Sequence, residues 1–194
     1  MRLREPLDDT FATGSHVRVL RALDALPRIA AVSGREVARR AGVSQPTARD
    51  VLTSLERQGL VRVERSLRRD AYRLNEDHTL APTIRELFAK ERQVGPELER
   101  SVAAALRRLG NVKAAYLFGS AARGDMRPDS DIDVAVESSD KPPDDIPELE
   151  KVFRRFGNRV NIIGLRARGA TGLRERIRAE GKPLPLRPAK RSGV

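Results

Sequence analysis

Apolar positions divide the 194 residues into two blocks with different periods. In the first block the spacing is helical. Val17, Leu20, Leu23 and Leu26 mark one face, and Pro27 stops the segment. Met1 to Ser15 is polar and reads as a loose arm. Ser33 and Glu36 have the spacing of a capping box ahead of a short helix, Arg35 to Ala41. Gly42-Val43-Ser44 is a tight turn with Ser44 as the next N-cap. A longer helix, Gln45 to Gln58, buries Ala48, Val51, Leu52 and Leu55, and Gly59 follows as its C′ residue. Pro46 falls in its first turn, where a missing N–H costs nothing. Two extended runs, Leu60–Glu64 and Ala71–Leu74, flank the basic tip Arg65–Asp70.

Residues 77–95 read as a connector helix with Leu80, Ile84, Leu87 and Phe88 on one face. That face serves to dock on either domain or to pair with a second subunit. Pro96 to Leu109 reads as a separate helix. The pattern then turns to strands. Ala114–Phe118 is a short buried run that ends at Gly119-Ser120, and ten turn-forming and basic residues lead to Asp131 and the apolar run Ile132–Val136. A helix over Leu149–Phe156, a strand over Arg159–Leu165 and a short helix over Leu173–Ala179, ended by Gly181, complete the block. Lys182 to Val194 holds three prolines and reads as a flexible tail.

Composition adds further constraints. Aromatics are only 4%, so Leu, Val, Ile and Ala must build the cores. The net charge of +11 points to an anionic partner, nucleic acid first. Residues 1–76 carry 15 basic against 10 acidic side chains, and the stretch from Arg166 onward nine against two. There is no cysteine, which excludes disulfides and thiolate metal sites. No run is long and apolar enough to span a membrane and none resembles a signal peptide, so a cytoplasmic protein is expected. His16 and His78 are isolated and read as packing or surface residues.

The candidate chemistry lies in Ala114–Glu137. Asp131 and Asp133 are two apart on an extended run, so both carboxylates face one way. Two like charges side by side are costly without a cation, and hard oxygen ligands suit Mg²⁺. Gly119 lets backbone approach a phosphate, and groups near Ser120 are placed to donate to its oxygens if a helix starts there. Arg123 and Arg127, between the two halves, suit a triphosphate. Gly-Ser, ten residues and Asp-x-Asp, written here GSAARG…SDIDV, resembles the nucleotidyltransferase superfamily of the DNA polymerase beta type, and most closely its minimal bacterial and archaeal members.

That resemblance implies transfer of a nucleotide, AMP from Mg-ATP, to a hydroxyl. Minimal members often act as antitoxins that modify a HEPN-type ribonuclease toxin. It also implies a third carboxylate on the strand after Asp-x-Asp, and Asn161 stands at that place. An asparagine can ligate a metal through oxygen but cannot take a proton. Glu137 shares the face of the two aspartates yet lies about 13 Å beyond Asp133, and Glu150 is the other nearby acid. The alternative is therefore a regulator whose nucleotidyltransferase-like domain is inactive and only binds nucleotide or a partner.

SGREVARRAGVSQPTARDVLTSLERQGLVRVE, Ser33 to Glu64, resembles the winged helix-turn-helix domain of bacterial transcription regulators. This implies double-stranded DNA as partner, with Ser44, Gln45, Thr47 and Arg49 facing bases and Arg65, Arg68 and Arg69 on the wing facing phosphate or the minor groove. Such regulators usually bind near-palindromic sites as homodimers. The expected architecture is α/β in the α+β sense. It comprises a winged helix-turn-helix over 1–76, a connector helix over 77–95, a nucleotidyltransferase-like mixed sheet with flanking helices over 96–181, and a basic tail over 182–194.

Overall fold

A computed structural model describes residues 6–67, 69–124, 130–138, 146–165 and 171–186. The chain divides into two compact units, 1–92 and 93–194.

In the first unit, α2 (Gly14–Asp24), α3 (Gly34–Ala41) and α4 (Gln45–Arg57) enclose a core of Leu20, Leu23, Val37, Leu52, Leu55 and Leu60. The local signals act as their chemistry requires. Ser44 Oγ caps α4 by accepting from Thr47 N at 3.2 Å. Gly42 turns the chain between α3 and α4 at φ 62, a left-handed conformation that glycine adopts without a side-chain clash. Beyond α4, Gly59 N donates to Glu56 O and Leu60 N to Leu55 O, which closes the helix end. The capping box is only half formed. Ser33 Oγ accepts from Glu36 N at 3.3 Å, but the Glu36 side chain turns forward to Arg39 and Arg40, which hold its carboxyl down to about 2.

Three strands form the wing sheet in the order β1 (Val32–Ser33), β3 (Ala71–Leu74), β2 (Val61–Glu64), all antiparallel. The short β1 carries no sequence signal of its own. The expected loose arm is ordered in part. Pro6–Thr10 forms α1, because buried Thr10 bonds to Pro6 O and to Gln58 Oε1 while Gln58 Nε2 donates to Asp9 O. His16 is buried, with Nδ1 against Thr13 Oγ1, and His78 Nδ1 accepts from Leu80 N. Both are structural.

The connector helix and the helix expected from Pro96 form one element, α5 (Ala81–Arg108), with Pro96 inside it. Pro96 removes one backbone bond, and packing on either side outweighs that loss. Ala81, Ile84 and Phe88 are buried in the first core, whereas Leu98, Val102 and Leu106 are buried in the second.

The second unit is a mixed sheet in the order β6 (Val160–Gly164), β5 (Ile132–Ser138), β4 (Val112–Phe118), β7 (Lys182–Pro183). β5 runs antiparallel to β4 and parallel to β6. Ile132, Val134, Val136, Ala115 and Leu117 face α5 and α7 (Pro147–Phe156), where Leu149 and Phe153 complete the core. The opposite face carries Tyr116, Phe118, Asp133, Ala135 and Asn161, and α8 (Thr171–Glu180) covers part of it through buried Ile177. The start of the expected tail is structured. Lys182 and Pro183 pair with β4, and Leu184 is buried. Among the described residues no helix is long and apolar enough to cross a membrane.

Candidate nucleotide site and nucleic-acid interface

β4 ends at Phe118, which lies opposite Asp133 in the ladder. The chain then enters α6 (Gly119–Arg123) with Gly119 at φ 65. A Cβ on Gly119 would lie 2.5 Å from Asp133 Oδ2. Glycine is therefore required twice here, by the backbone and by the carboxylate beside it. On the other side Asn161 is in register with Asp133, and its Nδ2 donates to Asp133 Oδ1 at 2.9 Å. The two oxygens of Asp133 thus meet the glycine turn and the neighbouring amide respectively.

Asp131 stands just before β5 and is exposed. Its backbone is fixed from both sides: Asn158 Nδ2 donates to Ser130 O at 3.1 Å, and Ile132 N to Arg159 O at 2.9 Å. Ser120 is the second residue of α6 and Arg123 ends it, exposed. Arg127 lies outside the described residues.

A pair of carboxylates close against a glycine turn suits a divalent cation and a phosphate chain. No group of three His, Cys, Asp or Glu that would hold a metal occurs among the described residues. Glu137 does not supply a third carboxylate, because Arg178 Nη2 binds its Oε2 at 2.9 Å at the far end of β5. Glu150 lies on α7, 3.8 Å from Arg154, beside a cavity of about 310 Å³ shared with Asn158 and Arg159.

In the first unit, Gln45, Arg49, Arg65, Arg69 and Tyr72 line a cleft of about 540 Å³ between α4 and the wing. Ser44 and Gln45 are exposed, and Ser44 Oγ lies 2.7 Å from Thr47 Oγ1, so the two hydroxyls share one hydrogen bond. Arg65 bonds to Glu56 of α4 at 2.7 Å. At the tip, Ser66 Oγ accepts from Arg69 N at 3.1 Å and donates to Arg69 O at 2.7 Å. Arg68 lies outside the described residues.

Comparison with known proteins agrees with both halves. Residues 101–188 match the family model described as polymerase beta, nucleotidyltransferase, and residues 13–69 match that of the MarR family. The chain joins a MarR-type winged helix to a polymerase beta-type nucleotidyltransferase domain. Among solved structures, a toxin–antitoxin with AMP-PNP is similar at 30% identity, over 44% of this chain and 71% of that one, with a TM-score of 0.39. MepR, a transcription regulator of the Staphylococcus aureus multidrug efflux pump MepA, is similar at 20% identity, over 54% and 82%, with a TM-score of 0.38. No match was found among curated proteins.

Two contacts in these domains have no local sequence signal. In the nucleotidyltransferase domain, Asn158 is a turn residue by its neighbours, yet it holds the segment that carries Asp131. In the MarR-type domain, Glu56 meets Arg65 across nine positions, so this wing arginine is held by a carboxylate of α4.

Proposed function

We propose that the protein binds duplex DNA through its MarR-type domain and transfers a nucleotide, AMP from Mg-ATP, to a hydroxyl of a protein acceptor through its second domain. The observation that carries this is Gly119, whose left-handed turn brings the backbone so close to Asp133 that a Cβ there would clash with its carboxylate. Asp131 and Asp133 would hold Mg²⁺, which when bound offsets phosphate charge and polarises the phosphoryl group under attack. Gly119 admits the phosphates, Ser120 donates to their oxygens, and Arg123 and Arg127 add positive charge. The acceptor oxygen bonds to the α-phosphorus while the bond to pyrophosphate breaks. The acceptor proton passes to solvent, because Asn161 cannot take it. Asn161 instead orients Asp133 through its amide.

The resemblance of GSAARG…SDIDV to minimal nucleotidyltransferases favours a HEPN-type ribonuclease toxin as acceptor. Control of its own promoter then follows from the fused DNA reader, and a homodimer suits a near-palindromic operator. Leu87, exposed on α5, is the apolar position offered for pairing.

A second reading is favoured by one contact. Asn161 meets Asp133 as a hydrogen-bond donor where the superfamily pattern places a carboxylate, which suits a domain that binds nucleotide without transferring it. Calorimetry of Mg-ATP on the wild type and on Asn161→Asp, with transfer to the candidate toxin followed by mass spectrometry, separates the two. The expected result is binding by both proteins and a mass increase of the toxin with the wild type. Binding without any mass increase, regained in Asn161→Asp, establishes the second reading. Absence of binding in both removes the nucleotide site.

On the DNA side, Arg49→Ala is expected to weaken binding to a selected operator by about 1–3 kcal/mol, with little effect on unrelated duplex, as for a bidentate base contact. Fluorescence anisotropy on both duplexes at several salt concentrations checks this. An equal loss on both, with a shallower salt slope, makes Arg49 a phosphate contact instead.

A further inference from the structure

Helix α8 sends its two described arginines to opposite ends of the sheet face that it covers. Ile177, fully buried, fixes the helix on Tyr116 and Phe118. Gly181 closes its end, because a Cβ there would lie 2.4 Å from Ile177 O and 3.2 Å from Tyr116 Cβ. Arg178 reaches Glu137 at 2.9 Å, at the end of β5 remote from Asp133. Arg176 goes the other way. Its guanidinium carbon lies 5.7 Å from the centroid of the Phe118 ring. Phe118 is the ladder partner of Asp133 and directly precedes Gly119. The ionic partner of Arg176 is Glu180 on the same helix, at 3.9 Å with both side chains more than half exposed. Such a pair is loose and easily exchanged.

A planar guanidinium resting on an aromatic face, one residue from the glycine turn beside Asp133, has the form of a phosphate ligand. We propose that Arg176 contacts the β and γ phosphates of the bound nucleotide, leaving Glu180 to do so. This rests on reading Gly119, Asp131 and Asp133 as the metal–triphosphate site. It adds a cation from the helix that follows β6, outside the Gly-Ser to Asp-x-Asp stretch. It also makes that helix a discriminator between triphosphate and monophosphate.

The test is calorimetry of the full chain with Mg-ATP and with AMP. The proteins are the wild type, Arg176→Ala, Arg176→Lys, the charge control Lys151→Ala on α7, and Asp131→Asn/Asp133→Asn. Loss of a charge-assisted hydrogen bond is expected to raise the Kd of Arg176→Ala for Mg-ATP about tenfold. Its Kd for AMP should stay within about twofold, Lys should recover part of the loss, and Lys151→Ala should behave as wild type. Unchanged Mg-ATP affinity in Arg176→Ala overturns the proposal, and so does an equal loss for ATP and AMP, which would mark a displaced α8. If the wild type binds no Mg-ATP, or binds it equally without the two aspartates, the underlying site reading fails and Arg176 fails with it.

Discussion

Asp133→Ala is expected to lower nucleotide transfer by at least about 10²–10³-fold, the scale of losing one charged contact at a reacting phosphoryl group. DNA affinity should stay within about twofold, because Asp133 belongs to the unit 93–194 and the reader to the unit 1–92. The size follows from the surroundings. Asp133 is the carboxylate that the Gly119 turn abuts, and Asn161 already donates to its other face. Asp131 alone leaves one carboxylate, too little for a cation that must also carry a triphosphate. The structural cost is small: the bond from Asn161 lies at the surface, so its amide turns to water. A melting curve close to wild type is therefore part of the expectation. The measurement is label transfer from ATP to the acceptor, with Mg-ATP calorimetry beside it. An unchanged transfer rate would remove Asp133 from the site.

The local grammar of the chain was readable wherever one short segment settles its own conformation. Ser44 caps, Gly42 and Gly59 turn, and alternation over Ile132–Val136 puts Asp133 on the face opposite the core. That Asn161 lies on the strand after Asp-x-Asp was legible, whereas its register with Asp133 is set by the parallel pairing of β5 and β6. What escaped depends on contacts distant in sequence. Gly95-Pro96 reads as a helix break, yet α5 continues because each half has a core to bury into. Pro6–Thr10 looks unstructured until Gln58 binds it. Pro183 discourages a strand, but as an edge residue beside Tyr116 it needs no further donor. The basic C-terminal stretch gave no hint that Arg178 is spent on Glu137 while Arg176 lies over Phe118. Composition registers how many cations there are, and packing decides which of them are committed.

Asp24→Ala is expected to destabilise the MarR-type unit by about 3 kcal/mol, the lower end for breaking a buried ion pair. For a unit of this size that lowers the melting temperature by more than about 10 °C. An aspartate in the last turn of α2 opposes the helix dipole and is tolerable only beside cations. Its side chain is 1% exposed and receives Arg85 Nη1 at 3.1 Å and Arg92 Nη1 at 2.6 Å. Arg85 also donates to the Asp24 carbonyl at 3.2 Å, satisfying a helix-end acceptor, and binds Glu76. The lower end applies because Arg92 is 55% exposed and hydrates easily, while Arg85 keeps Glu76. Arg21, which binds Glu91 at 2.7 Å with both side chains nearly half exposed, is the contrast. Its alanine variant should cost no more than about 1 kcal/mol. Acid gives a second readout. Arg85 holds the Glu76 carboxyl below its ordinary value, chiefly by its hydrogen bond. That contribution is present above the unfolded glutamate pKa, about 4.3, and is lost as pH falls through the lowered folded value. Arg85→Met should therefore flatten the acid limb of the stability curve as well as lower it. Urea melts of the full chain, followed by a probe in the first unit, measure all three variants. A loss below about 0.5 kcal/mol for Asp24→Ala, within the range of an ordinary surface change, would mean that Ile84 and Phe88 moor α5 by apolar burial alone. The two arginines would then be free to be replaced without loosening the helix that leads into the second unit.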